Sequence, residues 1–288
     1  MPAIHLPRLR KQVTDLIQHY ADPDRFLREL SDMFAFYGDH TKRVSPRTPK
    51  TSGLPTANVP QPVLRQIVQQ LTPYAENVPH AILVLARSLW NYPHLEHRQL
   101  ATMLLGKLPL TYSKEILPLV PNWCRQNYEE TLLLGLANNS LEKIQKETPE
   151  VLLEHIESWL YPEPQSPEET QENLPKANPA AELNLQKLAL TALVPLVRTP
   201  DFLNLPRVYK LLKPLLRDAP TVLRPYLVDV LRPLARRSPQ EITYILRTEM
   251  AQSPSKHLTW LARRTLDHLP PEHAANLRRV VFPKTLEE

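Results

Sequence analysis

The sequence predicts an all-α protein built from stacked helical hairpins, which together form an α-α superhelix or solenoid. Three observations predict it: apolar residues recur at helical spacing over most of the chain, proline is abundant while glycine is scarce, and one helical phrase repeats at a fixed interval. The 288 residues include 4 Gly and 32 Pro, where about 20 and about 14 are typical of this length. The isolated glycines form no phosphate-binding loop, so no nucleotide cofactor, and no cofactor of any other kind, is expected.

The N-terminal region begins with two predicted helices. Apolar residues spaced by three and four mark the first at 9–20, and Asp22 with Pro23 suits the start of the second. Residues 41–61 interrupt the pattern with prolines and cations, which predicts an irregular basic loop. Further helices are predicted at 62–72, 79–90, 93–106, 113–125, 127–138, 140–146 and 149–160.

Residues 161–182 form a second interruption, rich in proline and glutamate and with little apolar surface to bury. Such a composition is typical of a flexible acidic loop or linker. The sequence therefore predicts three regions, namely N-terminal repeats at 1–160, the acidic segment at 161–182, and basic C-terminal repeats at 183–288.

The C-terminal region contains an internal repeat. A phrase of Leu, one residue, Pro, two apolar residues and Arg ends at Arg198, Arg217 and Arg236, with a spacing of 19 residues. A second proline follows each phrase, so we expect one helix to bend or end at the first proline and another to start at the second. Two units make a hairpin of about 38 residues, within the range of stacked α-hairpin repeats. A plain helical bundle with proline-rich turns is the alternative.

Charge is divided unequally along the chain. Residues 1–182 carry 18 Lys+Arg against 21 Asp+Glu, a net charge of −3, whereas residues 183–288 carry 17 against 9, a net charge of +8. The basic region contains candidate phosphate contacts that lie in clusters or pairs, namely Arg232, Arg236, Arg237, Arg263, Arg264, Arg278 and Arg279. Because cations also stabilise helix C-termini, a purely structural role is equally open for them.

Other chemistry finds little support in the sequence. His94, Glu96 and His97 have no further ligand nearby, so no metal site is predicted. The single cysteine, Cys124, lies in a helical pattern and is expected to be a buried thiol in a reducing compartment. No catalytic residue is predicted. Neither a signal peptide nor a membrane span is expected, which predicts a cytoplasmic protein without a membrane partner.

Several phrases nevertheless resemble a known family when they are taken in order. The segment 53–67, the segment 86–101 and the helix end at Trp159 are similar to parts of the HEAT-like repeat DNA-alkylation-repair glycosylases. The resemblance implies a HEAT-like solenoid that holds duplex DNA by its backbone on a concave, positively charged face. It also implies tryptophans that flank an alkylated nucleotide, and an aspartate that stabilises the sugar cation as the base leaves.

The residues expected at the family's site are only partly present. Trp123 fits an expected tryptophan, Tyr37 corresponds to an aromatic residue before the first loop, and the aspartate position holds Asn127 or Tyr128. Neither residue supplies a negative charge at neutral pH. The main prediction is therefore a non-catalytic DNA-binding relative whose C-terminal arginines contact phosphates, with Trp123 and Tyr37 as aromatic contacts.

Two alternatives remain. The protein could be a protein–protein interaction scaffold, since stacked helical repeats commonly offer extended binding surfaces. It could also be an active alkylpurine DNA glycosylase in which Glu129 or Glu130 replaces the missing aspartate. The possible partners are therefore duplex DNA or another protein.

Overall fold

The computed structural model describes residues 5–38, 53–126, 129–162 and 179–282. Over these residues the regular structure is helical, which confirms the predicted all-α fold class and is consistent with a HEAT-like repeat. The α-helices are α1 (Leu6–Ile17), α2 (Pro23–Tyr37), α3 (Gln61–Asn77), α4 (Pro79–Asn91), α5 (Leu95–Leu105), α6 (Ser113–Gln126), α7 (Glu130–Gly135), α8 (Glu142–Glu147), α9 (Pro149–Leu160), α10 (Pro179–Arg198), α11 (Leu205–Arg217), α12 (Arg224–Arg237), α13 (Pro239–Gln252), α14 (Lys256–Leu266) and α15 (Pro271–Val281).

The chain divides into two compact units, Met1–Glu147 and Thr148–Glu288. In the first unit α1, α3, α5 and α7 pack in sequence, while α2 packs against α4. In the second, α10, α12 and α14 form one row, α11, α13 and α15 form another, and α9 packs on α10. Pairing between alternate helices is the packing that α-hairpin repeats produce, because each hairpin covers its apolar face with its neighbour.

The boundary between the units precedes α9, whereas the sequence interpretation placed the acidic segment 161–182 between the two sets of repeats. Because α9 and α10 pack together, this segment connects neighbouring helices of the second unit. Residues 163–178 of it, and residues 41–52 of the basic loop, lie outside the described residues.

The repeat prolines lie within helices rather than at their ends. Pro195, Pro214 and Pro233 are followed by one more helical turn in α10, α11 and α12, which end at the arginines or one residue beyond. Proline removes one backbone hydrogen bond but leaves its own carbonyl free, and Thr199 N–H and Asp218 N–H donate to the carbonyls of Pro195 and Pro214. Each helix therefore ends about one turn after its first proline, and the bend that was expected as the alternative stays a prediction.

Only one of the second prolines in these repeats starts a helix as expected. Pro239 begins α13. Pro200 instead lies in the loop before α11, and Pro220 precedes a 3₁₀ turn at Thr221–Leu223. In the first unit, the helix expected at 127–138 is the short α7 followed by a π-helical turn at Leu136–Ser140.

Helix α10 is the core helix of the second unit. It is the one helix, among the described residues, that is long and apolar enough by composition to cross a membrane, but 61% of that window is buried in the protein. Leu188, Leu190 and Leu193 are fully buried. Burial of a core helix against its neighbours accounts for this apolar composition, which is weak support for a membrane span.

Candidate nucleic-acid interface

Four arginines of the second unit surround one surface depression of about 400 Å³. We call it the arginine depression. It lies where the last turn of α12 meets the end of α10, and its lining residues are Val197, Arg198, Pro200, Arg232, Pro233, Arg236 and Arg237. The repeat explains the arrangement, because Arg198 and Arg236 occupy the same position of the repeated phrase on two helices of the same row.

Arg237 has a structural role in this depression. Its guanidinium donates to the backbone carbonyls of Val197 at 2.9 Å, Thr199 at 2.7 Å and Pro200 at 2.7 Å, and also to the carbonyl of Phe202. These carbonyls belong to the end of α10 and the loop that follows it. Arg237 therefore fixes the wall of the depression and has little remaining capacity to bind a ligand.

The other three arginines are more available. Arg198 and Arg236 are exposed, and neither forms an ion pair with a carboxylate among the described residues. Arg232 is 40% exposed, donates through Nε to His268 Nε2 at 3.3 Å, and lies 3.6 Å from Asp229. Burial, assisted by the charges of Arg232 and Arg236, lowers the pKa of His268. The charges of Arg232 and Arg236 thus both act on His268.

The remaining candidate arginines lie elsewhere in the second unit. Arg263 and Arg264 are exposed on α14, with their guanidinium carbons 4.8 Å and 5.4 Å from the ring centroids of Phe282 and Trp260. Arg278 and Arg279 are exposed on α15, in the other row of helices. Of the predicted arginines, the structure therefore brings Arg232, Arg236 and Arg237 together at the depression, joined by Arg198, which was not among the predicted site residues.

The two aromatic candidates are packed within the first unit. Trp123 is 4% exposed and stacks on Trp90 with a centroid distance of 4.3 Å and an interplanar angle of 4°. Tyr37 is half-buried; its hydroxyl donates to Gln12 Oε1 at 2.6 Å, and burial raises its pKa. A DNA contact by either ring stays a prediction, and for Trp123 it would require the ring pair to open.

The segment around the aspartate position expected from the resemblance is described only in part. Asn127 and Tyr128, the residues at the expected aspartate position, lie outside the described residues. Glu129 is 7% exposed, and its Oε2 atom has no hydrogen-bond partner among the residues that the structure describes, whereas Glu130 is exposed. Of the two adjacent glutamates, Glu129 is therefore the one whose carboxylate is buried.

The residues that the sequence analysis considered as metal ligands, His94, Glu96 and His97, also lie in the first unit. His97 is buried, with Nε2 3.3 Å from Ser31 Oγ, and its ring lies 5.7 Å from that of His94. Within the described ranges no group of three or more His, Cys, Asp or Glu side chains is arranged to hold a metal ion. Glu96 instead accepts a 2.6 Å hydrogen bond from Thr56.

Comparison with known proteins gives one match. Neither the curated proteins nor the solved structures include a significant match to this chain. A family model does match, over a segment that covers most of the first unit and a little under half of the chain. Residues 31–163 match the family described as DNA alkylation repair enzyme, so this part of the chain is similar to that family.

Proposed function

We propose that this protein binds duplex DNA without releasing bases, and that it contacts the phosphate backbone through the arginine depression. The family match over residues 31–163 supports a DNA-related function. The observation that carries the proposal is the pair Arg198 and Arg236, two exposed guanidinium groups that line one depression without a carboxylate partner among the described residues.

The chemistry of these groups favours phosphate. Guanidinium groups bind phosphate oxygens through paired N–H donors, and they keep their charge at all physiological pH values. The +8 charge of residues 183–288 adds a long-range attraction to a polyanion. An apolar floor formed by Val197, Pro200 and Pro233 supplies no competing acid.

The absence of base release is proposed from the sequence. The aspartate position of the family holds Asn127 or Tyr128, and neither residue is negatively charged at neutral pH. Without that charge, the developing sugar cation loses its main electrostatic stabilisation.

The test is fluorescence anisotropy of a labelled duplex across a salt series. Each lost phosphate contact flattens the slope of log K against log salt by about 0.9, so Arg198→Ala with Arg236→Ala should flatten it by about 2. The matched control is Arg65→Ala with Arg87→Ala, which removes the same charge from two exposed positions of the first unit. Salt-independent, weak binding of the wild type would overturn the proposal and favour the protein-scaffold alternative.

One observation favours retained glycosylase activity as a second candidate function. Glu129 is buried, and one of its carboxylate oxygens has no hydrogen-bond partner among the described residues, next to the expected aspartate position. If it is the acid, the wild type releases base from an alkylated duplex, and Glu129→Gln abolishes release while Glu130→Gln does not. Absence of release by the wild type eliminates this candidate and agrees with the main proposal.

A further inference from the structure

A second concave surface of the C-terminal unit lies between α11, α13 and α15, on the row of helices that does not form the arginine depression. Its volume is about 830 Å³, which is in the range of ligand sites. Residues that line this groove include Tyr209, Gln240, Thr243, Tyr244, Arg247 and Asn276.

Thr243 differs from three other well-packed helical threonines. Thr72, Thr191 and Thr265 each donate their hydroxyl to the carbonyl four residues earlier, at 2.7 to 2.9 Å. Thr243 is 4% exposed, and its hydroxyl has no hydrogen-bond partner within the described part of the chain. A buried hydroxyl without a partner is unfavourable, so a polar group bound in the groove would gain from it.

Tyr244 follows Thr243 in α13 and, unlike Thr243, is largely exposed. Its side chain is 69% exposed, which is unusual for a large ring and leaves a flat apolar face open at the groove. Burial raises the pKa of Tyr209, which also lines the groove. The groove therefore combines an exposed aromatic ring with a buried hydroxyl that has no hydrogen-bond partner among the described residues.

Polar and charged side chains also line the groove. Gln240 and Asn276 are exposed amides that offer both donors and acceptors, and Arg247 is exposed without an ion pair to any described carboxylate. Glu241 and His273 also line the groove, and His273 lies 3.5 Å from Glu272. A ligand with a flat ring, a polar edge and a negative group would use the ring face, the hydroxyl and the cation together.

We propose that this groove binds an unpaired nucleotide, with the base stacked on Tyr244, its polar edge at the Thr243 hydroxyl and its phosphate at Arg247. A base offers both an aromatic face and an edge of donors and acceptors, and stacking on an aromatic side chain is a main source of affinity for unpaired bases. This site is independent of duplex binding at the arginine depression, because the two surfaces share no lining residue.

The experiment is a titration of the whole protein with adenosine 5′-monophosphate and with adenosine, followed by NMR saturation transfer and chemical-shift changes. Thr243→Val keeps the shape of the side chain and should weaken binding of both probes by about five- to tenfold. Tyr244→Ala alters an exposed residue, so it should fold normally, and it should weaken both probes at least tenfold. Arg247→Ala should weaken only the monophosphate.

The matched control is Thr191→Val, which changes a buried threonine whose hydroxyl is already bonded within its helix. It should leave the affinity for both probes unchanged. No saturation transfer at millimolar concentration, or equal affinity for the wild type, Thr243→Val and Tyr244→Ala, would overturn the proposal. Tighter binding of N-acetyl-tyrosinamide than of the nucleotide would also overturn it and indicate a peptide ligand. The duplex salt series is unaffected by these substitutions if both proposals hold, so either can fail alone.

Discussion

Arginines at one position of the repeat have different partners in the folded protein. Arg198 and Arg236 line the arginine depression, whereas Arg217, midway between them in sequence, pairs with the buried carboxylate of Glu249. The difference follows from the helix row, since α11 packs next to α13, which carries Glu249, and α10 and α12 do not present an acid there. Arg198 could have been predicted as a site residue from the sequence, because it ends the first copy of the repeated phrase just as Arg236 ends the third.

The neighbours Arg236 and Arg237 allow a direct comparison of binding and structural roles. Arg237→Ala removes the guanidinium donor from four backbone carbonyls, of which that of Thr199 still accepts from Phe202 N–H, and should lower the free energy of unfolding by about 2–3 kcal/mol. Arg236→Ala changes an exposed side chain, so its effect should stay within about 0.5 kcal/mol while duplex affinity falls. Urea unfolding of both variants measures this, and equal losses of stability would contradict the assigned roles.

His97 predicts a pH dependence of stability for the first unit. Burial, assisted by the charge of His94, lowers the pKa of His97 from 6.5 to about 3. Between pH 6.5 and about 3 the unfolded chain therefore binds a proton that the folded chain does not, so this contribution to stability is complete above pH 6.5 and is lost as the pH falls.

We expect His97→Gln to show a shallower decrease in unfolding free energy than the wild type as the pH is lowered through this window. The measurement is urea unfolding at a series of pH values. His80→Gln, at an exposed position, is the control substitution. Parallel curves for the wild type and His97→Gln would show that His97 does not remain neutral in the folded state.

At the scale of elements, contacts between packed helices explain why one observed helix differs from the helix that apolar periodicity predicts. The sequence predicts a continuous helix over 127–138, but α7 is short and passes into a π-helical turn. Gln145 Nε2 donates to the Ala137 carbonyl at 2.7 Å, and Ser140 Oγ donates to the Thr102 carbonyl at 3.1 Å. The π turn thus offers its Ala137 carbonyl to Gln145 and donates from Ser140 to a carbonyl of α5, contacts that periodicity alone does not reveal.

Gly106 is required by this packing. A Cβ atom at this position would lie 2.0 Å from the carbonyl oxygen of Asn139 in the π turn, so the backbone would have to move. Gly106→Ala should therefore destabilise the protein by about 1–3 kcal/mol. Gly53→Ala is the matched control, because a Cβ there meets no atom within 4 Å. Thermal unfolding compares the two variants. Equal melting temperatures would mean that the backbone of the π turn can move with little loss of stability.

At the scale of the whole molecule, the two units contribute different properties. The family match lies mainly in the first unit, which contains the stacked Trp90 and Trp123 and the buried Glu129, while the arginine depression belongs to the second. If the second unit supplies the backbone contacts, hydrogen exchange should report an asymmetric footprint of bound duplex.

We expect duplex DNA to slow amide exchange several-fold at 194–204 and 232–238 and to leave α1 and α2 unchanged. The physical reason is that bound phosphate restrains the arginines and the loop whose carbonyls Arg237 holds. The control is the same experiment with the Arg198→Ala and Arg236→Ala variant. Protection confined to the first unit would assign the backbone contacts there instead.

The sequence by itself determined the helical class, most helix positions and the basic character of the C-terminal region, because these depend on local spacing and composition. Tertiary structure alone decided which arginines are available. Arg237 is held by carbonyls contributed from residues 35 to 40 positions earlier, and Arg198 meets Arg236 across two helices. It also decided that Trp123 is covered by Trp90 and that the buried hydroxyl of Thr243 has no partner among the residues that the structure describes. Such contacts join residues far apart in the chain, and a helical period specifies which face a side chain occupies but not which group meets it there.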